Sequence, residues 1–274
     1  MISMKKIKNI LPLLCWQVLF LFIPIALMFF KYFSLKTFIP IMKWLIENNF
    51  LLILKRSFST ACAVSFLTVG LAFFLSYAIN QEKEKTKNIF LLLFLVPFIS
   101  SFLIHMLSLI NFFYKTSILS KALETVSISA SPGSLLYSDF MVYLGYIYCY
   151  LPYAFIPLYI AILKFHTILL DASADLGATF YQSIFKVLVP NIKDSLITSF
   201  FIVYISTSSE FLIPEILGGD KFMHVGSAIS YTLLSSNLID CSVMMIIIFV
   251  ITLLISSGIL YQLLLLLIHL LKKI

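Results

Sequence analysis

Glu210 is the residue best placed to do chemistry in this chain, because it stands at the end of an apolar run, in SFFIVYISTSSEFLIPEILGG. A carboxylate carried to hydrocarbon depth costs ~2.5–3.5 kcal/mol, so it must face a cavity, a partner or water. Two readings are open. Glu210 contacts a cation, or it ends a solvated helix, since STSS precedes it and Pro214 follows. Glu215 and Asp220 flank Gly218 and Gly219 and are expected at the outer mouth, meeting a docked protein or water. Tyr143, Tyr146, Tyr148, Tyr150 and Tyr153 crowd one stretch, LGYIYCYLPYAFIPLYIAIL and the residues just before it. Their offsets cover more than one helical face, so only one or two can line a path; Tyr150 and Tyr153 are the candidates. Carboxylates and aromatic faces are the groups that replace lost water around an organic cation.

Other chemistries find no constellation. His105 lies mid-span and is expected to hydrogen-bond a neighbouring helix; His166, His224 and His269 are loop or end residues without ligand spacing, so no metal is assigned. Cys15, Cys62, Cys149 and Cys241 are scattered and contain no CxxC pair. No serine, histidine and acid cluster marks a hydrolase. None of the eight glycines opens the GxxxxGK[ST] loop that cradles phosphates, so no ATP site is expected in this chain.

The elements that must position Glu210 are set by hydropathy. Of 274 residues, 61% are hydrophobic and only 11% charged, a composition that makes the bilayer the solvent. The net charge of +7 sits in short loops and at the ends, where membrane topology explains it and nucleic acid does not. Runs of roughly 20 apolar residues predict six helices, at 11–30, 58–79, 89–110, 142–163, 196–214 and 243–271. Lysines are densest in the first eight residues, in QEKEKTK and at the carboxyl end, which predicts both termini on the cytoplasmic side. FIPIMKWLIENNF reads as an interfacial segment with Trp44 at headgroup depth. Pro97, Pro152, Pro157 and Pro214 fall inside or at the ends of spans, and the pair in the fourth predicts a bend.

Between the fourth and fifth spans lies DASADLGATFYQSIFKVLVP, too polar for lipid and too patterned for a linker. Asp171, Ala172, Ser173 and Ala174 suit a helix with an acidic start. Gly177 permits a left-handed turn. Phe180, Ile184, Val187 and Leu188 recur at helical spacing, and Pro190 closes the stretch. A helix, a tight turn and a second amphipathic helix make a compact knob.

This stretch resembles the EAA loop of permease subunits in binding-protein-dependent ABC importers. Asp171, Ala172, Ser173, Leu176, Gly177, Ala178, Phe185, Val187 and Pro190 fall on the family pattern, with Asp171 in place of the usual Glu and Ser173 in place of the usual second Ala. RSFSTACAVSFLTVGLAFFLSYAI and LFLVPFISSFLI are similar to the family's spans, and EFLIPEILGG is similar to a stretch in its polyamine branch. The resemblance implies an all-α integral membrane protein: one permease domain over residues 1–274, six spans, and a cytoplasmic coupling loop at about 164–193. It further implies that Asp171, Ala172, Ser173, Leu176, Gly177, Ala178 and Pro190 couple to a cytoplasmic ATPase dimer, where ATP and Mg²⁺ would bind. It implies a second homologous permease, an extracytoplasmic solute-binding protein and a bacterial inner-membrane location. The chain would then be a transport subunit, not an enzyme, importing spermidine or putrescine by alternating access. The alternatives are another small solute in the same family, or a stand-alone secondary transporter or membrane scaffold.

Overall fold

The computed structural model describes residues 43–114, 137–219, 223–235 and 239–273, with isolated helical positions between 16 and 27. The expected first span at 11–30 otherwise lies outside the described residues, as does Asp220. Among the described residues every regular element is helical. These are α1 (Phe50–Gln81), α2 (Glu84–Leu95), α3 (Phe102–Phe113), α4 (Asp139–Lys164), α5 (Ile168–Asp175), α6 (Phe180–Ser183), α7 (Lys193–Ser209), α8 (Val225–Leu234) and α9 (Ile239–Lys273).

The chain divides into two units, one of residues 1–52 with 229–250, the other of 53–228 with 251–274. In the first, Asn49 adopts φ +54° and turns a short helical stretch at 43–47 into the start of α1, with Leu45 and Phe50 buried. Trp44 in that stretch is half-buried, and its carbonyl accepts from Asn48 Nδ2 at 2.8 Å. Thr232 Oγ1 reaches Met245 Sδ at 3.7 Å within the same unit.

The second unit holds the candidate site. Within it, α1 turns a seam of small residues inward: Ala61, Val64, Ser65, Thr68, Ala72 and Ser76 are fully buried. Phe66, Leu67, Leu71 and Phe74 of the same helix point outward. Water would drive the opposite arrangement. In lipid, which is as apolar as leucine, helices associate through close approach of small faces.

Among the described residues, three helices are long and apolar enough to cross a membrane: α1, α4 and the 242–268 stretch of α9. They match the second, fourth and sixth expected spans. The pair 180–191 and 193–209 makes a fourth if counted as one span bent by 75°. The third expected span, 89–110, is not one helix. It divides into α2 and α3, of 12 residues each, separated by a 3-10 turn at Val96–Ile99. Pro97 in that turn lacks the N–H that would continue the α-helical ladder.

Helix α4 runs through both Pro152 and Pro157. Ser138 caps it, accepting from Met141 N at 3.4 Å, and its charged ends, Asp139 first and Lys164 last, complement the helix dipole. Its main partner is α7, and the pair runs antiparallel: Ser199 Oγ donates to Ala154 O at 3.0 Å, while Glu210 meets Tyr150. On another side of α7, Tyr204 donates to Ser256 Oγ of α9 at 2.9 Å.

Candidate solute cavity and inter-helix loop

Helix α7 is only 17 residues long, roughly 25 Å at ~1.5 Å per residue, and it stops at Glu210, whose backbone is extended (φ −69°, ψ 138°). The carboxylate is divided between two tasks. Oε1 accepts from Phe211 N at 3.0 Å and Leu212 N at 2.9 Å, capping the turn that follows. Oε2 accepts the Tyr150 hydroxyl at 2.8 Å. Tyr150 lies eleven residues into α4, about 16 Å along it. Glu210 therefore sits near mid-length of the α4 span, deeper than the outer end where the sequence placed it, because α7 ends early.

A cavity of about 520 Å³ opens beside this pair. Glu210, Tyr150, Tyr153, His105, Ser100 and Phe98 line it together with Cys149, Pro152 and apolar side chains of α2 and α3. Among the described lining residues there is no lysine or arginine. Both expected path tyrosines line the cavity: Tyr150 is buried, Tyr153 exposed, and their rings stand 6.0 Å apart. Glu215 does not line it. It is exposed on the turn beyond.

Two histidines to which the sequence assigned no site role stand at this end of α4: His105 lines the cavity, and His224 lies outside its lining. His105, expected to bond a neighbouring helix, has Nε2 3.0 Å from Ser100 Oγ, just before its own helix, and packs edge-on against Tyr148 of α4. His224, expected at a loop end, is fully buried, with Nδ1 3.2 Å from the Tyr146 hydroxyl. The His224, Tyr146 and Tyr150 rings follow one another at 6.0 and 6.3 Å, inclined by 23° and 19°. This column runs up one face of α4 and ends on Glu210. Tyr146 and Tyr150 at i and i+4 carried that signal, but the histidine 78 positions away carried none.

The chain after Glu210 makes an excursion along the first half of α4. Pro214–Gly218 forms a π-helical turn, and Ile213 and Leu217 lie against Gly145, where a methyl group would already collide with Leu217. Gly219 turns with φ +62° beside Tyr137. The return limb is pinned by His224 and by Val225 N, which donates to the buried Ser57 Oγ at 2.9 Å. Gly226 then lies against the backbone of Ser209 and Glu210; a Cβ there would stand 2.6 Å from the Ser209 carbonyl oxygen. Arg56 pairs with the exposed Asp139 at 3.6 Å near the same end.

At the other end of α4 lies the 164–193 loop. α5 begins three residues before Asp171, and Asp171 falls in its first turn. Gly177 has φ +84°, the left-handed turn its residue type suggested. Thr179 and Gln182 form a reciprocal capping box at the start of α6, with Thr179 N donating to Gln182 Oε1 at 2.9 Å. The helix continues through a π turn at Ile184–Leu188, and Pro190 lies one residue before its last position, Asn191. The expected apolar face is split: Ile184 and Leu188 are buried, while Phe180 is exposed and meets Tyr77 of α1 edge-on at 6.1 Å. Leu176, at the apex, is 89% exposed, and Asp171 and Ala172 are exposed beside it.

Residues 69–266 match the family described as binding-protein-dependent transport system inner membrane component. The spermidine/putrescine transport system permease protein PotB of Haemophilus influenzae is 29% identical over 180 residues, 66% of this chain and 62% of that protein. PotB of Salmonella typhimurium is 24% identical over 242 residues, covering 84% of each chain. The bacterial alginate ABC transporter, crystallised with an alginate pentasaccharide-bound periplasmic protein, contains a chain of the same fold. Its TM-score is 0.71 at 16% identity, over 94% of this chain and 95% of that one. With the matched segment spanning well over half of the sequence, the chain belongs to the binding-protein-dependent inner-membrane family, the permease subunits of ABC importers.

Proposed function

We propose that this permease imports polyamines, spermidine or putrescine, with ATP hydrolysed on a partner. The observation that carries the solute class is the Tyr150–Glu210 pair in a cavity whose described lining holds a carboxylate and aromatic rings but no lysine or arginine. An alkylammonium gains from both a carboxylate and ring faces. An acidic saccharide, the ligand named for the structural relative, would meet like charge there. PotB is the name carried by the sequence relatives, which supports the same class.

In this reading the 164–193 loop lies on the cytoplasmic side with both termini, and an ATPase dimer receives it through Asp171, Ala172, Ser173, Leu176, Gly177, Ala178 and Pro190. The exposed apex at Leu176 and the exposed apolar rings of Tyr181 and Phe185 support such a docking face. A second homologous permease closes the path from the other side, and a solute-binding protein delivers cargo from outside. Glu210, Tyr150 and Tyr153 line the path, and Glu215 lies toward its outer mouth.

The test is uptake by the assembled complex in proteoliposomes. ATP-dependent accumulation of labelled putrescine or spermidine, unaffected by excess alginate oligosaccharide, is the expected result. Polyamine-independent ATP consumption with accumulation of another solute would overturn the solute class. Accumulation without ATP would overturn the coupling.

A further inference from the structure

The two arms of the 164–193 loop are joined by a pair of hydroxyls. Ser173 lies near the end of α5, and Ser183 is the last residue of α6 and is buried. Their oxygens are 2.6 Å apart, and Ser173 Oγ also stands 2.7 Å from the Leu170 carbonyl oxygen. Each hydroxyl carries one proton. If Ser173 donates to Leu170, the proton between the two serines is supplied by Ser183, and both hydroxyls are used in one network.

The rest of the loop gives that network a mechanical meaning. Its apex is Gly177, at φ +84°, with open space where a side chain would be. The apex turn is therefore held by backbone bonds, such as Ala178 N to Ser173 O at 3.0 Å, without packing around the glycine. Behind the loop, beside the edge-on contact of Phe180 with Tyr77, a cavity of about 340 Å³ lies between the loop and the end of α1 at Tyr77 and Gln81. A load applied at the exposed Leu176 meets no packed apex and only a partly filled backing. Beyond the apolar packing of Leu170 and Leu188 at the base of the loop, it would spread the two arms apart unless something fastens them.

We propose that Ser173 and Ser183 are a positioning pair, fastening the arms so that the loop moves as one body and passes an ATPase stroke to α4 and α7. This rests on the reading of the loop as the ATPase docking element.

The experiment measures solute imported per ATP hydrolysed by the assembled complex, alongside the ATPase retained on purification. Ser173→Ala removes the link, and Ser173→Thr keeps the hydroxyl. Helix propensity runs the other way, since alanine favours a helix over serine and threonine does not. The expected result is at least a threefold fall in import per ATP for Ser173→Ala and for Ser183→Ala, with ATPase retention within twofold of wild type in Ser183→Ala, whose residue is buried and outside the docking set. Ser173→Thr should stay near wild type, and Ser173→Ala combined with Ser183→Ala should be no worse than Ser173→Ala alone. An unchanged ratio in Ser173→Ala, or an order that follows helix propensity, overturns the proposal. Leu176→Asp separates the underlying reading: if it leaves ATPase retention unchanged, the loop is not the docking element and the proposal falls with it.

Discussion

The Tyr150 hydroxyl donates to Glu210 Oε2 at 2.8 Å, joining the middle of α4 to the last turn of α7. The other carboxylate oxygen is committed to two backbone amides, so on the proposed route Oε2 is the oxygen that would meet a cation. Glu210→Gln keeps an acceptor for those amides and removes the charge. Polyamine uptake should fall about tenfold or more, the size of losing one charge-assisted contact, with insertion and assembly intact. Tyr150→Phe should cost less, because the carboxylate survives. Equal uptake by Glu210→Gln and wild type would show that the carboxylate is not on the route.

Gly145 is where the turn after Glu210 reaches α4. A valine there drives into Leu217 and Ile213, an overpacking expected to cost ~1–3 kcal/mol. Thermal unfolding in detergent should show the loss, and Leu217→Ala should recover part of it in the double variant. Independent, additive effects would mean that the two sites do not touch.

The Ser57 hydroxyl accepts the buried Val225 amide, 168 positions away. Ser57→Ala strands that donor and should destabilise by about 1–3 kcal/mol. Gly226→Ala should be worse, since the methyl group meets backbone oxygens that cannot rotate aside. Hydrogen exchange in 224–228 reports both. Protection equal to wild type in either variant would refute the return-limb account.

Gly177→Pro tests the loop. Proline holds φ near −65°, and the native value is +84°. ATP-driven uptake should vanish while the protein still reaches the membrane. Wild-type uptake would show that the turn is dispensable.

Much of this architecture was legible from residue patterns. The apolar runs located α1, α4 and the 242–268 stretch of α9, and Gly177 announced its left-handed turn. Composition cannot show where a span breaks. The 89–110 stretch reads as continuous because a 3-10 turn costs little hydropathy, and only Pro97 hinted at it. The depth of Glu210 was missed for a related reason: apolar residues continue past it, although the helix does not. His224 was illegible, since its partner Tyr146 is brought to it by an excursion that local sequence does not encode.

The inverted seam of α1 carries a last consequence for how this helix tolerates change. Its tight side is already built from the smallest side chains, so trimming there has little left to remove, whereas enlarging Ala61 or Ala72 wedges neighbouring backbones apart. On the outward side, swapping Leu67 or Leu71 for another apolar residue exchanges one oily surface for another. The mutational map of α1 should thus be governed by volume gained, with polarity a secondary influence, the reverse of what a water-soluble helix displays.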